Sequence, residues 1–191
     1  MIRKAGWLIG GLVLLTAGCG AAETTFEPNV FSEKDMCAVK AEDSKAQVCY
    51  GASREAAEQV VGKATEEGDS GNFSYEGGVQ LFYREDEVAA IRLLEESKGQ
   101  YRTARGAAVG MSQEEIVKLY GDQDMELPGS GFLDYFYDSE NKKLLTDPMK
   151  DLPPGSPEDA EKIHLVSTKL DADEHAEYIL IMDRRWAMYM D

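Results

Sequence analysis

Two stretches of the chain set apolar residues at helical spacing between the same punctuation marks. In Cys49-Tyr-Gly-Ala-Ser-Arg-Glu-Ala-Ala-Glu-Gln-Val-Val-Gly62 the apolar trio is Ala57, Val60 and Val61. In Ala108-Val-Gly-Met-Ser-Gln-Glu-Glu-Ile-Val-Lys-Leu-Tyr-Gly121 it is Ile116, Leu119 and Tyr120. Aligned on these trios, Gly51, Ser53, Glu55 and Gly62 fall on Gly110, Ser112, Glu114 and Gly121. Each stretch predicts a short helix, with the serine as N-cap and the closing glycine in the left-handed position after the last turn. Glu115 completes a capping box with Ser112, whereas Ala56 stands at that place in the first copy. A stripe this narrow fits a helix lying on a sheet, with Val60 and Leu119 in equivalent core positions.

Short β-rich runs follow each helix. Phe73–Glu76, Val79–Arg84 and Val88–Leu94, separated by Gly77-Gly78 and Glu85-Asp86-Glu87, predict a three-stranded antiparallel meander. Alternation points Val79, Leu81 and Tyr83 toward the helix and Gln80, Phe82 and Arg84 away from it. After the second helix, Phe132–Asp138, Lys162–Thr168, Tyr178–Met182 and Trp186–Met190 read as strands, with Arg184-Arg185 as the last turn. Residues 146–159 carry four prolines and a glycine and read as an inserted surface loop. The pattern predicts an α+β protein of two tandem helix-plus-antiparallel-sheet repeats, over residues 35–97 and 98–191.

The N-terminus changes where this fold is expected to sit. Arg3 and Lys4 precede an apolar run, Trp7 to Leu15, too short for the roughly 20 residues a membrane-spanning helix needs. Residues 1–18 read as an export signal. Leu15-Thr-Ala-Gly-Cys19 resembles the lipobox of bacterial lipoproteins, which implies cleavage before Cys19 and diacylglycerol attachment to its sulfur. Thr16 stands where that pattern prefers leucine. The alternative is an ordinary secretory signal with an incidental cysteine. Residues 19–34 are polar and aperiodic, and read as a tether; a two-chain anchor holds firmly where one acyl chain holds marginally. The expected location is the extracytoplasmic face of the cell membrane, reached through the lipid.

Export makes oxidation available to Cys37 and Cys49, which lie equally far from Asp43. A hairpin turning at Glu42-Asp43-Ser44 sets the two sulfurs opposite each other within disulfide reach; two buried thiols are the alternative. Charge then limits the partners. Loss of residues 1–18 removes only Arg3 and Lys4 from the charged set, leaving 36 acidic and 18 basic side chains, a formal −18. So acidic a chain disfavours nucleic acid and fits a cationic partner or plain solubility.

Motifs for catalysis are missing. The chain has no Gly-x-Ser-x-Gly elbow, no phosphate-binding Gly-x-x-x-x-Gly-Lys-Ser/Thr loop and no His-Glu-x-x-His. Of the two histidines, His164 lies in an expected strand, and His175 in the acidic turn Asp171–Glu177, which lacks the glycine and spacing of a calcium loop. No catalytic residue, metal site or cofactor is expected. Phe82 and Trp186, on a sheet face expected to be free of helices, are the candidate interface residues.

Gly110-Met111-Ser112 with Val117 and Gly121, and more weakly Gly51, Ser53 and Gly62, are similar to the repeat of the beta-lactamase-inhibitor-protein-like families. They also resemble the lipoprotein of the outer-membrane barrel-assembly machinery. Thr103-Ala-Arg-Gly106 and Tyr120-Gly121 look like uncharacterised lipoproteins of Gram-positive bacteria. Ala52 and Glu58 break the pattern in the first copy. The resemblance implies a fold and a habit of binding proteins on the sheet face, without implying a particular partner. The expected role is a non-enzymatic protein-interaction or envelope-accessory lipoprotein; a small-ligand or cation-binding lipoprotein is the alternative.

Overall fold

The computed structural model describes residues 26–68, 71–124, 130–152 and 155–189. The expected signal segment and Cys19 lie outside these. Eleven strands are present among the described residues: β1 (Cys37–Lys40), β2 (Gln47–Cys49), β3 (Glu66–Glu67), β4 (Asn72–Tyr75), β5 (Val79–Arg84), β6 (Glu87–Leu93), β7 (Tyr101–Thr103), β8 (Phe132–Asp138), β9 (Lys143–Leu145), β10 (Ile163–Leu170) and β11 (Ala176–Asp183). The helices are α1 (Arg54–Val61), α2 (Gln113–Tyr120), α3 (Pro148–Asp151), α4 (Pro157–Glu161) and α5 (Arg184–Tyr189). The fold is α+β and mostly sheet. Eight strands form one antiparallel sheet in the order β3-β4-β5-β6-β11-β10-β8-β9, and a smaller sheet runs β2-β1-β7.

The two long helices begin alike because the same chemistry stands at both starts. Ser53 accepts from Ala56 N and Ser112 from Glu115 N, and Glu115 returns the bond to complete its box. Each approach also clips to the start of a strand with three backbone bonds. Gly51 N donates to Val88 O (2.8 Å), Val88 N to Ala52 O (2.9 Å) and Arg54 N to Asp86 O (2.9 Å). At the second helix Gly110 N donates to Ala176 O, Ala176 N to Met111 O and Gln113 N to Glu174 O, each 2.8 Å. Gly62 and Gly121 end the helices at φ 88° and 101°, a region that costs other residues strain.

Both helices lie on one face of the large sheet. Ala57 and Val61, and Ile116 and Tyr120, are buried against Tyr75, Val79, Leu81, Ile91, Leu93, Leu133, Tyr135, Ile179 and Ile181. The small sheet adds Ala38, Val48 and Tyr101 to the same core. Val60 and Leu119, expected in the core, are only partly buried; the i, i+4 pair points straight down and the i+3 residue flanks it.

Three expectations need correction. The tether does not extend to Lys34. Asn29 N donates to Tyr120 O (2.7 Å), and the Arg105 guanidinium donates to Glu27 O (2.8 Å) and Val30 O, so residues 27–31 are strapped to the end of α2. Residues 146–159 are no plain loop but carry α3 and the start of α4, Pro157 occupying the first turn, where its missing N–H costs nothing. Finally, Trp186 lies in a helix, not a strand. Asp183 ends β11 and accepts from Trp186 N (2.6 Å), turning the chain into α5 in place of a hairpin.

Cys37 and Cys49 are register partners across β1 and β2 and form a disulfide. Reduction is expected to lower stability by about 2–4 kcal/mol, the usual range for such a cross-link. Urea unfolding with and without reductant measures it. A loss under about 0.5 kcal/mol would mean the hairpin is held by its ladder and packing alone.

Candidate functional site

Strand alternation puts Ile91, Ile179, Ile181 and Val166 on the helix-covered face and their neighbours on the outer one. Register aligns the outer residues into cross-strand rows. One runs Asn72, Phe82, Ala90, Met182, Leu165, Phe136, Leu145. The next runs Ser74, Gln80, Arg92, Leu180, Ser167, Asp134, and beyond it Tyr178, Lys169 and Phe132 lie abreast.

The first row is not free. Phe82, Ala90, Phe136, Leu165, Leu180 and Met182 form a second core with Trp186 of α5. The rings of Phe82 and Trp186 meet edge to face at 4.6 Å, and the two residues are 8% and 7% exposed. Their expected role as surface anchors is therefore overturned. Alternation placed Phe82 on the outer face correctly, but α5 covers that end of the sheet. Trp186 is the residue that covers it.

A polar cluster fixes this cover. The Asp183 carboxylate, fully buried, accepts from the Tyr50 hydroxyl (2.7 Å), the Arg84 guanidinium and Trp186 N. Burial pushes its carboxyl above the ordinary range, against the lowering pull of those donors. Glu161 of α4 accepts from both Arg84 (2.8 Å) and Arg185 (2.6 Å), so α4 and α5 are pinned to the end of β5. Tyr50 packs on the His164 ring at 4.6 Å between centroids. His164 Nδ1 is buried without a hydrogen-bond partner. Burial lowers the affinity of this ring for a proton below its ordinary 6.5. The unfolded chain thus takes up a proton below pH 6.5 that the folded one resists, so His164 costs stability as pH falls through that value. Compared with a His164→Phe variant, the wild type is expected to lose stability on going from pH 7 to pH 5. Equal pH profiles for the two would show that His164 does not titrate differently in the folded state.

The outer face keeps a different character around Arg92. Gln80, Arg92, Tyr178, Lys169 and Phe132 are half-exposed. The Arg92 guanidinium lies between the rings of Phe82 and Tyr178, 5.5 Å from each centroid, and its Nε is buried without a partner. Lys169 Nζ sits 4.7 Å from the centre of Phe132, whose ring meets Tyr178 edge-on at 6.2 Å. Asp134, buried in the same row as Arg92, accepts from Ser167 (2.5 Å), and burial raises its carboxyl's proton affinity.

At two other candidate places the central carboxylate is already engaged. In the acidic turn the Asp171 carboxylate accepts from Asp173 N and His175 N at 2.9 Å each. Among the described residues no group of three His, Cys, Asp or Glu side chains is placed to hold a metal. A hollow of about 490 Å³ beside α1 is lined by Arg54, Glu55, Glu58, Gln59, Lys63 and Asp86, and there Glu58 already pairs with Arg54 and Lys63. Sequence reasoning missed Arg92 and Tyr178. The available signal was a cation set inside the apolar run Val88–Leu94, a place where charge is rare unless partnered. Compared with family models, curated proteins and solved structures, the chain matches none.

Proposed function

We propose that this chain is a lipid-anchored extracytoplasmic protein-interaction module, non-enzymatic, built from a duplicated helix-plus-sheet unit. The observation that carries the interaction reading is the half-exposed band Gln80, Arg92, Tyr178, Lys169 and Phe132 on the outer sheet face. Aromatic and arginine side chains desolvate well on contact and dominate protein interfaces. The duplication is supported by the matching caps and by the three-bond clip at each helix start. The sheet order supports it too: β4-β5-β6 meets β11-β10-β8 head to head, with Ile91 opposite Ile181 and Leu93 opposite Ile179. The lipid anchor rests on Leu15–Cys19 alone.

Cys19→Ala is expected to abolish labelling by a fatty-acid analogue and to move the protein out of the membrane fraction. A labelled mutant would remove the anchor from this reading. For the interaction, a photo-crosslinking residue at Gln80 is expected to give discrete protein adducts in cells. The same residue at Gln59, on the opposite side beside α1, is expected to give none. The alternative of a cation-binding lipoprotein gains no observation from the Asp171–Glu177 turn, whose first carboxylate is spent on its own backbone.

A further inference from the structure

Among the described residues Arg92 and His164 each keep a buried side-chain nitrogen without a hydrogen-bond partner, and Arg92 is the one of the two on the outer sheet face. Arg84, eight positions earlier, shows what a satisfied strand arginine looks like here, paired with both Glu161 and Asp183. Arg92 has aromatic rings on two sides and an unpartnered buried Nε, in a chain with 36 acidic side chains against 20 basic ones. A guanidinium held this way keeps its planar fork oriented while part of its hydration is already lost. Lys169 stands on the other side of Tyr178, as that residue's direct cross-strand partner, with its ammonium over Phe132. The two cations thus flank one aromatic ring on a half-buried sheet face.

We infer that this face docks an extended acidic segment of a protein partner, with carboxylates on Arg92 and Lys169 and apolar side chains on Tyr178 and Phe132. The inference rests on the interaction reading above and names the chemistry of the partner. An extended segment fits because alternate side chains of a strand point to one side, about 7 Å apart, which suits a surface ruled by strand rows. A polyanion such as nucleic acid is disfavoured: the whole chain carries a formal −16, and a long polymer meets that field over its length. A short segment feels mainly the charges within a Debye length, about 8 Å at physiological salt, where Arg92 and Lys169 stand. The one acid of the same row, Asp134, is buried and accepts from the Ser167 hydroxyl.

The test uses the full chain in neutral detergent and three capped peptides of about ten residues that alternate leucine with glutamate, lysine or glutamine. Fluorescence anisotropy is expected to show that the Leu-Glu peptide binds and the other two do not. Arg92→Gln and Lys169→Gln are each expected to weaken it by about tenfold or more, as loss of a half-desolvated charge pair does. Arg102→Gln, on the small sheet, leaves it unchanged. Thermal melting of each variant separates lost binding from lost fold, and Lys169→Gln, at the sheet surface, serves should Arg92→Gln unfold. Equal binding of the Leu-Lys peptide, or undiminished binding by the folded variants, overturns the proposal. Adducts from position 80 that persist unchanged in Arg92→Gln also overturn it, while leaving the interaction reading intact. Absence of any adduct from position 80 defeats both.

Discussion

Arg105→Met is expected to cost the folded chain about 3–5 kcal/mol, the range for stranding one partner of a buried ion pair. Arg105 and Asp35 are almost fully buried side chains, and the guanidinium bonds the Asp35 carboxylate directly. Its remaining N–H groups donate to Glu27 O, Leu119 O and Val30 O, while Asp35 also accepts from Ser32 N (2.7 Å). Phe26, Phe31 and Tyr120 surround the cation at 5.0–5.6 Å from their ring centres. Methionine keeps the bulk of the stem but leaves a buried carboxylate with no cation and takes a donor from three carbonyls, of which Glu27 O keeps Val30 N. For a domain of this size the loss corresponds to a fall in melting temperature of roughly 6–20 °C. The Asp35→Asn/Arg105→Met double variant is expected to recover part of it, because the stranded charge is gone. A loss below about 1 kcal/mol would place the pair with ordinary surface ion pairs. The same variant frees residues 27–31, so cleavage by protease in that segment should become faster. If Cys19 carries the lipid, this clamp decides how far the body stands from the membrane. With Phe26 against Arg105 and residues 27–31 strapped down, the sequence from Cys19 to Phe26 spans at most about 25 Å at full extension.

Helix starts, strand alternation and the cysteine hairpin were legible because each rests on local chemistry. A Ser N-cap, a left-handed glycine and a period of two act within a few residues of where they are read. Long-range closure was not legible in the same way. Trp186-Ala-Met-Tyr-Met190 is a short apolar run that reads as a strand would, and the buried Asp183, held by Tyr50 and Arg84 from distant parts of the chain, turns it into a helix. That one difference moved Phe82 from surface to core and shifted the candidate surface one row along, to Arg92 and Tyr178. The strap was hidden for a related reason. Residues 26–31 have no periodicity of their own and are ordered by Arg105, which lies more than seventy positions away. The β3 and β9 edges were missed because two or three residues carry no pattern; they exist by pairing with β4 and β8.

Ile116→Ala and Ala57→Ile are expected to destabilise the chain for opposite reasons, by about 2–5 and about 1–3 kcal/mol. The two positions align in the helix motifs, and each is 1% exposed on the face turned toward the sheet. Their neighbours one turn on differ in the same sense, Val61 in α1 and Tyr120 in α2. α1 therefore carries small residues at these two places and α2 large ones. A close-packed interior has no room to spare at Ala57 and would be left with a void at Ile116. Leu119→Ala should cost less than Ile116→Ala, since Leu119 is only partly buried at the edge of the core. Equilibrium unfolding in urea ranks the three. The order Ile116→Ala worst, with Ala57→Ile still clearly destabilising, supports two equivalent helices seated at different depths. A neutral Ala57→Ile would mean that α1 rides loosely on the sheet, and the helices would then share their caps without sharing a packing role.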